Sequence, residues 1–414
     1  MIATVHAASV VLPMDGSPPL PDHAVLVEGG VVVALGPRSE IVARAGSASV
    51  RAHTGVLTPG LVNAHAHLEY GPAFADLASA GLAFPDWISQ LTARRRQFTD
   101  ADWLVAARGS AHAALKSGTT AVADIITNGQ GIRAAALAGL AGTSYVEAVG
   151  ADDGRWPTEK ARVQGILDAA AGSTRTVGIS PHTLYTLGTE VFRDCLRLGR
   201  ERSLRLHPHL AETADEAEFI LAGTGRIASA MTAFGLSLEL MGTGSGRTAV
   251  QHCDDLGGLG PDVHVAHGVH VDASDRALLR ERQTAVALCT RSNQVLHAGE
   301  APVAAYLTEG NLVAVGTDSL ASCPDLDLLA EARATRDLAR RQGLAGVEER
   351  LIRALTADGA AAIGIEGGVL RPGARADLAV FDIPLDTDPY AALVESGAGR
   401  CTATVLGGRL VHRR

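Results

Sequence analysis

Thr58-Pro59-Gly60-Leu61-Val62-Asn63-Ala64-His65-Ala66-His67 is the stretch on which the fold turns. Residues 60–65 form a short apolar run entered through a Pro-Gly break, the pattern of a buried strand. Residues two apart on a strand point to one face, so His65 and His67 aim two imidazoles into one space. Imidazole is the commonest metal ligand, and a metal ion needs such convergence. In a doubly wound open sheet the first strand would run into a glycine-rich phosphate loop. This strand runs into His-Ala-His instead.

Outward from that strand, runs of the same kind recur at 119–124, 143–149, 176–181, 204–210, 263–269, 284–289 and 312–317. Each is followed by a longer Ala-, Leu- and Arg-rich segment with helical character, such as 100–116 and 326–342. Eight such βα units spread over about 300 residues predict an α/β chain built on a (β/α)8 TIM barrel. The barrel is expected over residues 58–365. Before it lie short β-rich runs at 10–13, 24–27, 31–35 and 56–57, broken by Asp15-Gly16 and Gly29-Gly30. After it, 377–381 and 402–411 repeat the style around Gly367-Gly368 and Gly407-Gly408. The two chain ends, 1–57 and 366–414, are therefore expected to pair into one small β-sandwich domain.

The 414 residues carry a formal net charge of -9 and are 47% hydrophobic. That composition supports a sizeable core and excludes global disorder. It also argues against nucleic acid as a partner, since no broad basic stripe exists. Arg94-Arg95-Arg96 is the densest cationic run and reads as a solvated helix face. No signal peptide and no apolar span of membrane length is visible. The five cysteines are odd in number and include no C-x-x-C pair, which fits reduced, buried thiols and a cytoplasmic protein.

Fifteen histidines are the informative excess. His207 and His209 end the fifth run, with Glu212 three residues on. His264, His267 and His270 cluster around the sixth, and Asp318 follows the eighth. Apart from His264, these positions fall at or beyond the carboxyl end of a strand, the face where barrel enzymes keep their chemistry. His65, His67, His209 and Asp318 offer three nitrogens and one carboxylate. That set suits one divalent metal ion, Zn²⁺ first and Fe²⁺ as the alternative. His207 reads as a neighbour of the site. Barrels with two metals often bridge them through a carboxylated Lys on the fourth strand. The only lysines here, Lys116 and Lys160, fall in helical segments, so one ion is expected. A bound ion would bring the pKa of a coordinated water from about 15.7 to near 7. Asp318 and Glu212 can then move protons, and His267 can orient the water or polarise the reacting centre.

Several blocks together carry a resemblance: 58–67 as quoted above, Ser117-Gly118-Thr119-Thr120, His209-Leu210-Ala211-Glu212-Thr213, Gly316-Thr317-Asp318-Ser319, and Leu370-Arg371-Pro372-Gly373 before Ala376-Asp377-Leu378. The chain resembles the amidohydrolase superfamily over nearly its whole length. Within it, the HLAET block and the missing fourth-strand Lys resemble the mononuclear deaminase and triazine-hydrolase branch. Cys289-Thr290-Arg291-Ser292-Asn293, His67-Leu68-Glu69 and Phe84-Pro85-Asp86-Trp87 are similar to blocks of aminofutalosine deaminases, with Thr290 in place of a Pro.

The resemblance implies metal at His65, His67, His209 and Asp318, with Glu212, His267 and Asp318 catalytic. It places His182 of Ser180-Pro181-His182 at the substrate, and Trp87 and Asn293 with it. Glu69 could serve the pocket or the structure. Arg291 could bind a substrate carboxylate or cap a loop. In methylthioadenosine and adenosylhomocysteine deaminases of this branch, a carboxylate just after the Phe of the F-x-x-W block holds the ribose. Here Pro85 stands there, and Asp86 or Glu69 could take its place. The implied function is a metal-dependent hydrolytic deaminase of an aminopurine-type nucleoside or related small N-heterocycle, aminofutalosine-like first. A triazine-type chlorohydrolase or cyclic amide hydrolase on the same metal site is the alternative. A homodimer is implied as well. Segment 220–259, with Gly242-Thr243-Gly244-Ser245-Gly246, is expected to be a flexible lid.

Overall fold

The computed structural model describes residues 3–82 and 84–414. Strands Leu61–Ala66, Thr119–Ile126, Thr143–Ala148 and Thr176–Pro181 form one parallel four-stranded sheet. His209–Leu210, His264–His267, Ala285–Leu288 and Val313–Val315 form a second. Single parallel bridges join Ile179 to Leu206, Leu206 to Val263, and Ala66 to Asp318. These bridges close the eight strands into a barrel, with helices such as Asp100–Lys116, Thr189–Glu201 and Leu328–Arg341 around it.

The fifth strand is shorter than its apolar run suggested, with only His209–Leu210 laddered. Pro208 has no N–H to give and so interrupts the ladder, though its carbonyl still accepts from the Ala266 N–H at 3.0 Å.

The chain ends meet where Val56–Pro59 pairs antiparallel with Leu378–Phe381. Around that pair an eight-stranded sheet forms, separate from the barrel. One face buries Val11, Val25, Leu57, Leu378 and Val405; the other buries Val5, Ala24, Leu26 and Ile41. Ile41 comes from Arg38–Ala45, a short helix whose one buried position gives no long apolar stripe to read. All five cysteines are free and buried. Among the described residues no helix is long and apolar enough to cross a membrane.

Gly316 shows how tightly the barrel end is packed. A Cβ there would lie 2.6 Å from the His65 Cβ and 2.8 Å from its backbone N and O. Gly316→Ala is therefore expected to cost about 1–3 kcal/mol through overpacking. Urea unfolding of the metal-free protein measures it, and a loss below about 0.5 kcal/mol would show that His65 moves aside freely.

Candidate active site

The strand ends deliver the expected residues to one place. His65 and His67 leave the first strand, His209 and His267 lie on the fifth and sixth, and Asp318 follows the eighth. Asp318 is pinned by its own N–H, which donates to the His65 carbonyl at 3.0 Å. Asn63 ties the same two strand ends together. Its Oδ1 accepts from the Thr317 and His65 N–H groups at 3.1 and 3.3 Å, and its Nδ2 donates to Thr317 Oγ1 at 2.8 Å. Ala211, His267 and Asp318 all have left-handed backbone, with φ of 54°, 74° and 58°. Such conformations cost of order 1–3 kcal/mol in non-glycine residues and gather at functional sites.

Hydrogen bonds fix which nitrogen is free in four of the rings, His65, His207, His209 and His267. A carbonyl only accepts, so His207 Nδ1 donates to the His264 carbonyl at 2.8 Å, leaving its Nε2 as an acceptor. His65 Nδ1 must then donate to His207 Nε2 at 2.9 Å, which leaves His65 Nε2 with a lone pair. His209 Nδ1 donates to the His182 carbonyl at 3.3 Å, so its Nε2 is also unprotonated. His267 Nδ1 donates to Asn293 Oδ1 at 3.0 Å, which frees its Nε2.

These free atoms converge with His67 Nε2. His65 Nε2 and His67 Nε2 lie 3.8 and 3.7 Å from Asp318 Oδ1. His67 Nε2 is 3.2 Å from His209 Nε2. His65, His67 and Asp318 present ligand atoms within 4.8 Å of one another, and so do His65, His209 and His267. His65 Nε2 is buried with no hydrogen-bond partner among the described residues. Lone pairs turned toward each other and toward a carboxylate repel, and a cation relieves that repulsion. Three imidazole nitrogens and one carboxylate oxygen fit a divalent ion. Asp318 is braced for the task, since its Oδ2 accepts from Ser292 Oγ at 2.6 Å and Ser322 Oγ at 2.9 Å.

Burial holds the His67 imidazole down to about 4 and that of His182 to about 3, and lowers His65 and His209 as well. These rings are neutral in the fold and protonate in the unfolded chain below about 6.5. The unfolded state therefore binds more protons there, so the stabilisation is present above pH 6.5 and lost as pH falls through the folded values. The melting temperature of chelator-treated protein is expected to drop steadily from pH 6.5 to pH 4. A flat profile would show that these rings are not held neutral.

Glu212 lies next to this cluster, 5% exposed, with Oε1 3.7 Å from His267 Nε2. Burial raises its carboxyl. Glu216, which the sequence reading missed, accepts from the N–H groups of Ala211 and Glu212 at 2.9 and 2.7 Å and so holds the turn.

A cavity of about 570 Å³ opens over these groups, lined by His67, His182, His209, Glu212, His267 and Asp318. Its apolar wall includes Phe84, Trp87, Leu91, Met231 and Phe234. Trp87 is fixed there, its indole N–H donating to the Ala321 carbonyl at 2.8 Å. Segment 220–259, expected to be a loose lid, carries the helices Gly225–Ala233 and Ala249–Asp255, and its Met231, Phe234 and Leu236 wall the cavity.

Three expected substrate contacts fall elsewhere. Glu69 is fully buried, and its carboxylate accepts from Thr127 and Asn128, bracing that loop. Arg291 turns away to Asp325 at 2.8 Å and Glu331 at 3.6 Å, which satisfies its charge within the fold. Asn293 sits behind His267 and sets its ring, outside the cavity lining. The arginine run also departs from a solvated face: Arg95 lines the cavity 5.5 Å from the Tyr70 ring centre, and Arg94 pairs with Asp76. Sequence reasoning missed Glu147 as well, since a single Glu inside a strand gives no local signal. It lines the cavity, with Oε1 3.8 Å from His182 Nε2, and burial raises it to about 8.

Known proteins carry the same architecture. A 5-methylthioadenosine/S-adenosylhomocysteine deaminase of Haloarcula marismortui is 32% identical over 353 residues, 82% of this chain and 75% of that one. The crystal structure of Helicobacter pylori aminofutalosine deaminase with methylthio-coformycin superposes with a TM-score of 0.85 at 19% identity, covering 99% of this chain and all of that one. An adenosine deaminase from Xanthomonas campestris with bound zinc gives 0.81 at 23% identity, over 100% and 93% of the two chains. The pattern of the amidohydrolase family matches residues 56–411, and the chain belongs to that family.

Proposed function

We propose that this chain is a metal-dependent hydrolytic deaminase of an aminopurine-type nucleoside, with His65, His67, His209 and Asp318 holding one divalent ion. The convergence of free imidazole nitrogens, Asp318 Oδ1 and the Glu212 carboxyl at the base of one cavity carries this reading. Zinc is the favoured ion, from the ligand set and from the zinc bound by the Xanthomonas relative. The ion's contribution is a water acidic enough to attack at neutral pH.

The chain's own groups do the rest. The cavity is large enough for a nucleoside, and its apolar wall receives a flat ring. His267, with its proton held on Nδ1, accepts at Nε2 and orients the attacking water. The Glu212 carboxyl, raised by burial, delivers a proton to the ring nitrogen beside the reacting carbon, and Asp318 Oδ1 takes the proton that the water gives up. Asp318 passes that proton on to the amino nitrogen, the carbon–nitrogen bond breaks and ammonia leaves, and the added oxygen gives its remaining proton back to Glu212, so the amidine becomes an amide and both carboxyls are reset. An aminofutalosine-like nucleoside is the first candidate, from the shared blocks at 84–87 and 289–293.

Zinc-loaded protein incubated with a panel of aminopurine nucleosides is expected to release ammonia. Silence across the panel, with chloride released from chlorotriazines, would overturn deamination and leave the metal site standing.

A further inference from the structure

Four carboxyl groups line the cavity among the described residues: Glu147, Glu159, Glu212 and Asp318. Three are committed. Glu159 accepts from Arg162 Nε at 2.9 Å and from the Val149 N–H at 3.0 Å. Asp318 is braced by two serines, and Glu212 is the group proposed above to deliver the proton. Glu147 is the one left over. It is 2% exposed, and its Oε1 has no hydrogen-bond partner among the described residues. His182 Nε2, at 3.8 Å, is beyond hydrogen-bond reach.

A buried polar atom without a partner costs about 1–3 kcal/mol, so its persistence points to a partner that is not part of the chain. The backbone around it is fixed. The Glu147 carbonyl accepts from Arg162, and the residue is next to last in the third barrel strand, Thr143–Ala148. Asp86 is exposed and outside the cavity lining, and Glu69 is saturated by Thr127 and Asn128.

We propose that Glu147 determines specificity by accepting hydrogen bonds from the vicinal hydroxyls of a ribosyl group on the substrate, beside the ring edge that His182 faces. This rests on reading the cavity as a nucleoside site. A carboxyl is suited to the role because its two oxygens can accept from adjacent hydroxyls at once.

Calorimetry on zinc-loaded protein tests it without turnover, using inosine, 2′,3′-dideoxyinosine and hypoxanthine as probes. In buffer at pH 9, above the value of about 8 to which burial raises Glu147 so that its carboxyl is ionised, wild type is expected to bind inosine at least about tenfold more tightly than dideoxyinosine, the worth of one good hydrogen bond to a charged group. In Glu147→Ala that ratio is expected to fall to within about twofold, with dideoxyinosine affinity unchanged; Glu147→Gln, which keeps one acceptor and the side-chain volume, is expected to lie between. An unchanged ratio in both variants, an equal loss for all three probes, or no inosine binding by wild type would overturn the proposal. So would two metal ions per chain falling to one in Glu147→Ala, which would make Glu147 a ligand alongside His182 and His209. Ammonia release is assayed separately. Diol-dependent binding without deamination would cost the chain its deaminase reading and leave Glu147 its role.

Discussion

Asp318→Asn is expected to lower kcat/KM by about 10³-fold or more, some 4 kcal/mol of transition-state stabilisation. The side chain does two things at once. Its Oδ2 accepts from Ser292 and Ser322, and its Oδ1 faces His65 Nε2 and His67 Nε2. Asn has a single acceptor oxygen. If that oxygen stays with the serines, the NH₂ group turns toward the cation, which repels a donor, and it can donate to the very imidazole nitrogens that would hold the ion. If it turns to the cation, two buried hydroxyls lose their acceptor. In either orientation the proton-accepting carboxylate is gone. Metal content by elemental analysis is expected to fall together with activity, while the circular dichroism spectrum stays that of the wild type. Activity within tenfold of wild type in a metal-replete variant would remove Asp318 from the machinery.

The site was legible where chemistry and periodicity coincide. His65 and His67 were readable because a strand repeats every two residues, and His209, Glu212 and Asp318 because each follows an apolar run at the same barrel end. The groups that aim them were not. His207 acts through a hydrogen bond to a residue 142 positions away, and Asn293 reaches His267 across 26. No local pattern encodes such pairings, because they form only when the barrel closes, which brings strand one across the interior from strand five and the end of strand seven beside strand six. Arg291 misled for the same reason. Its block suggests a ligand contact, but Asp325 and Glu331, brought close by the fold, satisfy the guanidinium first. Glu147 carries no signal at all in Tyr145-Val146-Glu147-Ala148. It becomes visible only when the cavity has walls and the hydrogen bonds of every other carboxyl are assigned. The fifth strand repeats the lesson at the level of fold: its apolar run located the strand, and Pro208 shortened it.

Glu212→Gln is expected to lower kcat by about 10²–10⁴-fold with little change in bound metal, because the group is the proposed proton donor and stands outside the proposed ligand set. Gln keeps the volume and one hydrogen-bonding oxygen, so the main loss is an exchangeable proton. Burial supplies the reason that this proton is available: at 5% exposure the carboxyl is raised above the usual carboxylate range. His267 Nε2 and the Asp318 charge pull that shift in opposite directions. The turn that presents Glu212 is held by the Glu216 carboxyl through the Ala211 and Glu212 N–H groups, which the substitution leaves intact. The variant should therefore still bind a nucleoside product with wild-type affinity, and the alkaline limb of the kcat profile, where a protonated donor is lost, should weaken. Metal lost with activity would recast Glu212 as a ligand. A kcat within threefold of wild type would remove Glu212 from proton delivery. Glu212→Gln, read with Asp318→Asn, thus separates proton delivery from metal holding: one should lose turnover and keep the ion, the other should lose both.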